Sequence, residues 1–220
     1  MGKLLNVITP LHQKTKRDYI KRMMDNKIKC MAIARKYDKD FWDGKRKYGY
    51  GGYRYDGRWE SVAKDLTKIY SLREDAKILD VGCGKGYLLY EFKKFLPKSL
   101  IVGFDISSYA IENAKEEVKE KLFVYKAQDS YPFKNKEFDL VLSLGTLHNL
   151  YIHELKSALK EIERIGINKY ITVESYRNEQ ELFNLQCWAL TCESFFRPQE
   201  WVWLFNEFGY TGDYEFIYFE

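Results

Sequence analysis

The feature that most constrains the fold is a short apolar run that leads directly into three closely spaced glycines. Residues 78–81 have the composition of a buried β-strand, Gly82, Gly84 and Gly86 follow at alternate positions, and a helix is predicted to begin near Tyr87. Glycines at this spacing let the backbone turn tightly and approach a ligand where a Cβ atom would collide with it. A strand, a glycine turn and a helix in this order are typical of a nucleotide-type cofactor site.

An acid lies inside this strand, just ahead of the glycines. The carboxylate of Asp80 would repel the pyrophosphate of a dinucleotide, whereas it suits a ligand that carries an ammonium and a sulfonium at that point. This residue therefore favours S-adenosylmethionine over NAD.

Two further acids follow apolar runs at distances that fit the same kind of site. Asp105 ends the run of residues 100–105, and an acid about 20 residues beyond such a turn typically accepts hydrogen bonds from ribose hydroxyls. Asp129 follows a third apolar run, residues 122–127. Because ligands bind at the carboxyl ends of the strands in open α/β sheets, we expect these acids at one edge of the sheet.

Together, these segments resemble the class I S-adenosylmethionine-dependent methyltransferase family. The likeness covers residues 77–149 and consists of DVGCGKG, GFDIS, QDSYPF and FDLVLSLGTLHNL. It implies an α/β fold with a Rossmann-like, doubly wound, mostly parallel sheet of six to seven strands and helices on both faces.

The same resemblance implies S-adenosylmethionine as the cofactor, with the glycine turn at its methionine moiety, Asp105 at the ribose and Asp129 at the adenine amine. The residues that it assigns to the cofactor are Asp80, Gly82, Cys83, Gly84, Asp105, Ile106, Asp129, Ser130 and Leu144.

The composition fits one domain with additions better than two domains, since 220 residues with 45% hydrophobic content can bury one full core. No run approaches the roughly 20 apolar residues of a membrane span, and the N-terminus lacks the apolar core of a signal peptide. We therefore expect a cytoplasmic protein without a membrane partner. Since the four cysteines form no CxxC pair and have no histidines at zinc spacing, we expect reduced thiols and no metal site.

The charge is unevenly distributed along the chain. Residues 1–50 contain 14 Lys and Arg against 5 Asp and Glu, whereas residues 51–220 contain 22 against 27. Such a basic segment could attract RNA or an anionic small substrate, or it could present a solvated face that complements an acidic surface of the same protein.

The N-terminal segment is predicted to cover the cofactor site. One amphipathic helix is expected over residues 9–37, with Thr9 as its N-cap and an apolar face formed by Ile20, Met24, Ile28 and Met31. Residues 41–59 then mix glycines with large aromatic rings, which suits a loop that closes over a ligand or, alternatively, a surface loop whose rings cover the core. We interpret residues 1–60 as a helical lid segment and residues 61–220 as the cofactor-binding domain.

The rest of the chain alternates strands and helices. Strands are predicted at residues 138–143 and 169–174, helices begin near residues 87, 108 and 151, and two helical stretches follow at 181–191 and 198–209. Residues 212–220 form the last strand. The family usually ends in a two-stranded hairpin, so we expect six strands or a shortened edge here.

Methyl transfer from a sulfonium is an in-line displacement, so holding the two reactants in line and excluding water are its main requirements. An acceptor hydroxyl also needs its proton removed, and an acceptor amine must be neutral. His148, after the fourth strand, is either the base or a histidine that packs at the strand end. Glu174, at the end of the fifth strand, either orients the acceptor or is structural.

The lid and the fifth strand also supply the candidate substrate contacts, among them an arginine that could pair with the methionine carboxylate or with an acidic substrate. These residues are Tyr53, Tyr55, Arg58, Trp59, Tyr176 and Arg177.

The expected reaction is methyl transfer to an O or N atom of a small metabolite, which is anionic if the basic residues of the lid face inward. An Asn-Pro-Pro-Tyr sequence after the fourth strand, associated with nucleobase amines, is absent, so a nucleic-acid substrate is not expected. The alternatives are an RNA or protein methyltransferase guided by the basic N-terminal segment, or a noncatalytic partner subunit. The oligomeric state stays open.

Overall fold

Six strands form one sheet in this computed structural model, which describes residues 2–50 and 54–220. The strands are β1 (Lys77–Val81), β2 (Leu100–Asp105), β3 (Leu122–Val124), β4 (Phe138–Leu144), β5 (Gly166–Glu174) and β6 (Asp213–Ile217). Their order in the sheet is β3-β2-β1-β4-β5-β6, and every pairing is parallel. The order therefore reverses between β1 and β4, which is where ligands bind in doubly wound sheets.

Eleven helices occur in the described ranges and cover both faces of the sheet. They are α1 (Thr9–Gln13), α2 (Tyr19–Met24), α3 (Lys27–Ala34), α4 (Lys39–Trp42), α5 (Trp59–Ile69), α6 (Tyr87–Phe95), α7 (Ser108–Glu112), α8 (Glu116–Lys119), α9 (Ile152–Ile165), α10 (Glu179–Trp188) and α11 (Pro198–Glu207). Three-residue 3-10 turns lie at Arg46–Tyr48 and Leu147–Asn149. None of these helices combines the length and apolar character needed to cross a bilayer.

Alternating side chains of β1 pack into two separate hydrophobic cores, one on each face of the sheet. Leu79 and Val81 pack against α9 and α11 on one face, whereas Ile78 packs against α5 and α6 on the other. This is the alternation that a strand buried on both faces requires. The predicted doubly wound α/β fold is confirmed, with six strands, and the final strand lies parallel beside β5.

The single helix predicted over residues 9–37 is wrong, because polar caps divide the segment into α1, α2 and α3. The side chain of Asp18 accepts the N–H of Lys21 at 3.0 Å, and that of Asn26 accepts the N–H of Lys29 at 3.1 Å. The side chains of Asp18 and Asn26 start new helices because they accept backbone N–H groups that a continuous helix would bond to backbone carbonyls.

The predicted N-cap of the first helix also differs. Thr9 lies inside α1, and the carboxylate of Glu215 on β6 accepts the backbone N–H groups of Val7, Ile8 and Thr9 at 2.5 to 3.1 Å. The carboxylate of Glu215, rather than the hydroxyl of Thr9, therefore accepts the free backbone N–H groups at the start of α1.

Three of the four residues of the predicted apolar face point outward, whereas Met31 is half-buried and packs against the core. Ile20, Met24 and Ile28 are 58%, 80% and 83% exposed. Arg22 is buried instead, and its guanidinium donates to the carbonyls of Trp188, Arg46 and Gly49 at 3.2, 2.6 and 2.8 Å. These hydrogen bonds fix the rotation of α2 about its axis, because a buried guanidinium must find acceptors.

Candidate functional site

A cavity of about 490 Å³ lies at the carboxyl ends of β1, β2 and β4. Residues of the glycine turn and of the segments after β2 and β4 line its base and walls, and residues of the N-terminal segment line it from above. The cavity thus occupies the point where the strand order reverses, as the sequence predicted for the cofactor site.

The backbone of the glycine turn requires glycine, and Gly82 and Gly84 show this at the cavity. Gly82 and Gly84 have φ angles of 81° and 54°, which residues with side chains rarely adopt. A Cβ atom on Gly82 would lie 2.1 Å from the hydroxyl oxygen of Thr146, and one on Gly84 would lie 2.7 Å from the ring of Trp42. The turn therefore brings bare backbone against the cavity.

Two predicted acids lie beside this turn. Asp105 accepts the N–H of Gly84 at 2.9 Å and that of Ser107 at 2.8 Å, so it supports the turn from the end of β2. Asp80 lines the cavity, is 5% exposed, and accepts no hydrogen bond from any described residue. Burial and the neighbouring Asp105 raise the pKa of Asp80 to about 7. A buried carboxylate without a cationic partner is a favourable place for a positively charged ligand.

The segment after β3 departs from the sequence prediction. Asp129 and Ser130 are exposed and lie outside the cavity lining, whereas Ala127 and Gln128 line it. The reason is a turn in which the Asp129 N–H donates to the carbonyl of Lys126 at 3.2 Å, which directs the preceding residues inward. The Gln128 amide donates to Glu154, also a lining residue, at 3.1 Å.

The roof of the cavity consists of aromatic residues from the N-terminal segment. Tyr37, Phe41, Trp42 and Tyr50 line the cavity, and α4 is attached to the domain by polar contacts on both sides of the glycine turn. The Trp42 indole donates to the Ser107 hydroxyl at 2.8 Å.

The next residue along the chain adds a second attachment. The Asp43 carboxylate pairs with the buried ammonium of Lys85 at 2.7 Å and accepts from the Tyr109 hydroxyl at 2.8 Å. Opening the roof would therefore separate Asp43, which is partly exposed, from a buried ammonium.

A polar wall closes one side of the cavity. The hydroxyls of Tyr50 and Thr191 are 2.8 Å apart, and the Thr191 hydroxyl donates to the side-chain oxygen of Asn149 at 2.7 Å. The Tyr50 oxygen also accepts the backbone N–H groups of Leu190 and Thr191 at 2.8 and 2.9 Å. Because Thr191 donates its hydrogen to Asn149, the Tyr50 hydroxyl must donate to Thr191, and all of its hydrogen-bonding positions are then used. The oxygens of Thr191 and Asn149 are left to accept from a polar ligand atom, and we refer to Tyr50, Asn149 and Thr191 as the polar wall.

The two predicted catalytic residues, His148 and Glu174, lie outside the cavity lining. The Nδ1 atom of His148 accepts the Glu174 N–H at 3.3 Å, and its Nε2 atom is 3.5 Å from the Glu174 carboxylate. Burial lowers the pKa of His148 to about 3 and raises that of Glu174 to about 8. His148 also accepts two backbone N–H groups, from Glu193 and Ser194, at its carbonyl. This placement fits the alternative in which the histidine packs at the strand end.

Comparison with known proteins identifies the family. The sequence profile described as "Methyltransferase domain" matches residues 72–209. The chain belongs to the class I S-adenosylmethionine-dependent methyltransferase family.

Relatives of this methyltransferase-family chain carry several functional names. It is 28% identical over 136 residues to the mitochondrial arginine-hydroxylase NDUFAF5 of Danio rerio, covering 61% of this chain and 41% of the relative. It is 31% identical over 117 residues to the ribosomal RNA small subunit methyltransferase C of Buchnera aphidicola, covering 51% and 33%. The chain thus matches less than half of the length of either relative.

A solved structure shares the fold. A methyltransferase of Haloferax volcanii in complex with the Trm112 methyltransferase activator superposes with a TM-score of 0.54 at 18% identity, covering 71% of this chain and 77% of that one. At this identity the likeness is one of fold.

The residues around the cavity fit the methyl donor that this family uses. Asp80 provides a carboxylate for a cationic ligand, the glycine turn provides backbone that a ligand can approach closely, and Gln128 provides a polar group beyond β3. Seven of the nine predicted cofactor residues line the cavity: Asp80, Gly82, Cys83, Gly84, Asp105, Ile106 and Leu144.

The predicted substrate residues of this chain divide into three groups. Arg58 and Trp59 line the cavity. Tyr55, Tyr176 and Arg177 lie outside the lining. Tyr55 donates to Glu91 at 2.6 Å, and Tyr176 packs beside α10. Arg177 pairs with Glu220 at 2.6 Å and also with Glu181. Tyr53 lies outside the described residues.

Several residues that line the cavity are marked only weakly, or not at all, by the sequence. The aromatic content of residues 41–59 is the signal for Tyr50, and Gln128 lies one position before Asp129, the predicted cofactor residue. No local pattern marks Thr191 as part of the polar wall. The missed lining residues with polar side chains are Tyr37, Trp42, Tyr50, Lys85, Tyr87, Tyr125, Gln128, Thr146, Asn149, Glu154 and Thr191.

Proposed function

We propose that this chain transfers a methyl group from S-adenosylmethionine to an O or N atom of a small metabolite enclosed beneath the N-terminal segment. The observation that carries the proposal is a single cavity that joins the Asp80 carboxylate and the glycine turn to the polar wall under an aromatic roof. A cofactor at the turn and an acceptor at the wall would share one enclosed space.

Three side chains would hold the cofactor. Asp80 would accept from its ammonium, Asp105 from its ribose hydroxyls, and Gln128 would accept from its adenine amine through the amide oxygen. The cofactor supplies an electrophilic methyl group on a sulfonium.

The remaining lining residues would position the acceptor. The polar wall would hold the reacting O or N atom through the side-chain oxygens of Thr191 and Asn149, which would accept a hydrogen bond from it, and the aromatic roof would exclude water from it. No histidine is found among the described residues that line the cavity. Positioning and desolvation would therefore contribute more to catalysis here than a histidine base.

Labelled methyl transfer tests the proposal. The protein would be incubated with S-adenosylmethionine labelled in its methyl group and with metabolite, RNA and protein fractions of a cell extract. We expect label in the metabolite fraction, and less label with the Asp80→Asn variant when the cofactor is below saturation. Label confined to the RNA or protein fraction would contradict the small-molecule assignment, and binding of the cofactor without transfer to any fraction would favour a noncatalytic subunit.

RNA methylation is the second candidate function. The basic character of residues 1–50 and the name of the ribosomal RNA methyltransferase relative favour it. It requires binding to RNA that weakens steeply with salt, since phosphate contacts release counterions.

A further inference from the structure

A second cavity, of about 350 Å³, adjoins the cofactor cavity. Phe41, Trp42 and Arg58 line both cavities. The rest of the lining comes from the segment after α4, which provides residues 43–46 and Gly49, and from Arg54 and Asp56 ahead of α5. We refer to this second cavity as the basic groove.

Both carboxylates of the basic groove are already neutralised by cations. Asp56 is bound by the Arg58 guanidinium, whose Nε atom lies 2.8 and 2.9 Å from the two carboxylate oxygens. Asp43 pairs with Lys85, which comes from the glycine turn and does not line the groove. Neither acid is left to balance the other cations of the groove.

Three further cations line the same groove: Lys45, Arg46 and Arg54. None of them takes part in an ion pair within the described part of the chain. Arg46 lies with its guanidinium carbon 5.1 Å from the centroid of the Trp188 ring, a contact that restrains its plane. Burial raises the pKa of Asp43, but hydrogen bonds from Lys85 and Tyr109 outweigh it and hold that pKa below its usual value. The positive charge of Arg54 contributes to this lowering.

We propose that the basic groove binds a phosphate group carried by the methyl acceptor, an inference that rests on the proposed function. A phosphate monoester carries close to two negative charges and three acceptor oxygens at neutral pH, which matches three cations without carboxylate partners better than a monoanion does. The acceptor would extend past Trp42 and Arg58, with its reacting atom in the cofactor cavity and its phosphate in the groove.

The test uses inorganic phosphate as the probe and S-adenosylhomocysteine as the cofactor analogue, each titrated by calorimetry at constant ionic strength. Arg54→Gln removes one cation of the groove, and Lys160→Gln removes one exposed cation from α9 as the matched control. We expect the wild type to bind phosphate, Arg54→Gln to bind it about tenfold more weakly, and Lys160→Gln to bind it equally well. Both variants should bind S-adenosylhomocysteine as the wild type does, which reports that they are folded.

Equal phosphate affinity in the wild type and in Arg54→Gln, or no phosphate binding by the wild type, would overturn the inference. Single-stranded RNA that binds with steep salt dependence and is not displaced by phosphate would also overturn it, in favour of an RNA substrate. Phosphate binding that depends on Arg54 in a protein that does not bind S-adenosylhomocysteine would support the groove while refuting the proposed function.

Discussion

The raised pKa of Asp80 predicts a pH dependence of cofactor binding. With a pKa of about 7, the carboxylate in the free protein is about half ionised at pH 7 and about one-tenth ionised at pH 6. A cationic cofactor binds the ionised form, so its affinity should rise about tenfold per pH unit below pH 7 and level off above it. Binding at pH 6 should also release a proton.

Replacing Asp80 by asparagine keeps the shape of the side chain and removes its charge. Asp80 is only 5% exposed, so solvent screens its interaction with a bound cation weakly. We expect the variant to bind S-adenosylmethionine more weakly at pH 8 by about 1.5 to 3 kcal/mol, and to lose the pH dependence. The matched control is Asp129→Asn, since Asp129 is exposed and outside the cavity lining.

The same substitution should have the opposite effect on the stability of the cofactor-free protein. Because the folded-state pKa of Asp80 lies above its ordinary value, the folded protein holds a proton that the unfolded chain loses between about pH 4 and 7. This group therefore lowers the folding stability as the pH rises through that range. Asp80→Asn should raise the melting temperature at pH 8, which also shows that the variant is folded.

Calorimetric titration with S-adenosylmethionine from pH 5.5 to 8.5 measures the affinities and the proton release, and thermal unfolding of the cofactor-free proteins at pH 8 measures the stability. An affinity of the wild type that does not change with pH, or an Asp80→Asn variant that keeps the slope of the wild type, would refute the assignment of Asp80 as the cation partner.

Three other substitutions test the remaining parts of the site. Asp105→Ala removes the acceptor of the Gly84 N–H and should weaken S-adenosylmethionine binding by roughly 1.5 to 3 kcal/mol; an unchanged dissociation constant would count against its role. Trp42→Ala removes the bond from the roof to Ser107 and should speed cofactor release in stopped-flow measurements, and equal release rates would contradict a closed roof. His148→Ala should lower the melting temperature while turnover per folded molecule stays close to the wild-type value, whereas a large loss of turnover in a stable variant would restore the histidine as the base.

The sheet and the cofactor turn were predictable because their determinants are local. The glycines after β1 are required by backbone geometry at the turn itself. Asp80 lies within β1 and Asp105 ends β2, and runs of apolar residues mark both strands in the sequence. The prediction failed where one residue decides the direction of a turn. Gln128 rather than Asp129 lines the cavity because the backbone turns between Lys126 and Asp129.

The N-terminal segment was less predictable because distant residues decide its structure. The apolar spacing of Ile20, Met24 and Ile28 indicated a buried helix face, but the hydrogen bonds of Arg22 to the carbonyls of Trp188, Arg46 and Gly49 turn that face outward.

The polar wall could not be predicted from the sequence, again because its residues are far apart in the chain. Tyr50 and Thr191 are 141 positions apart, and their hydroxyls meet only once the segment lies over the sheet. No pattern in either part of the chain indicates that contact.

A crystal structure of the complex with S-adenosylhomocysteine tests the central claim most directly. We predict the ammonium of the ligand within hydrogen-bonding distance of Asp80, its ribose hydroxyls on Asp105 and its adenine amine beside Gln128. A ligand bound away from the glycine turn, or one in the cavity with its ammonium remote from Asp80, would contradict the claim.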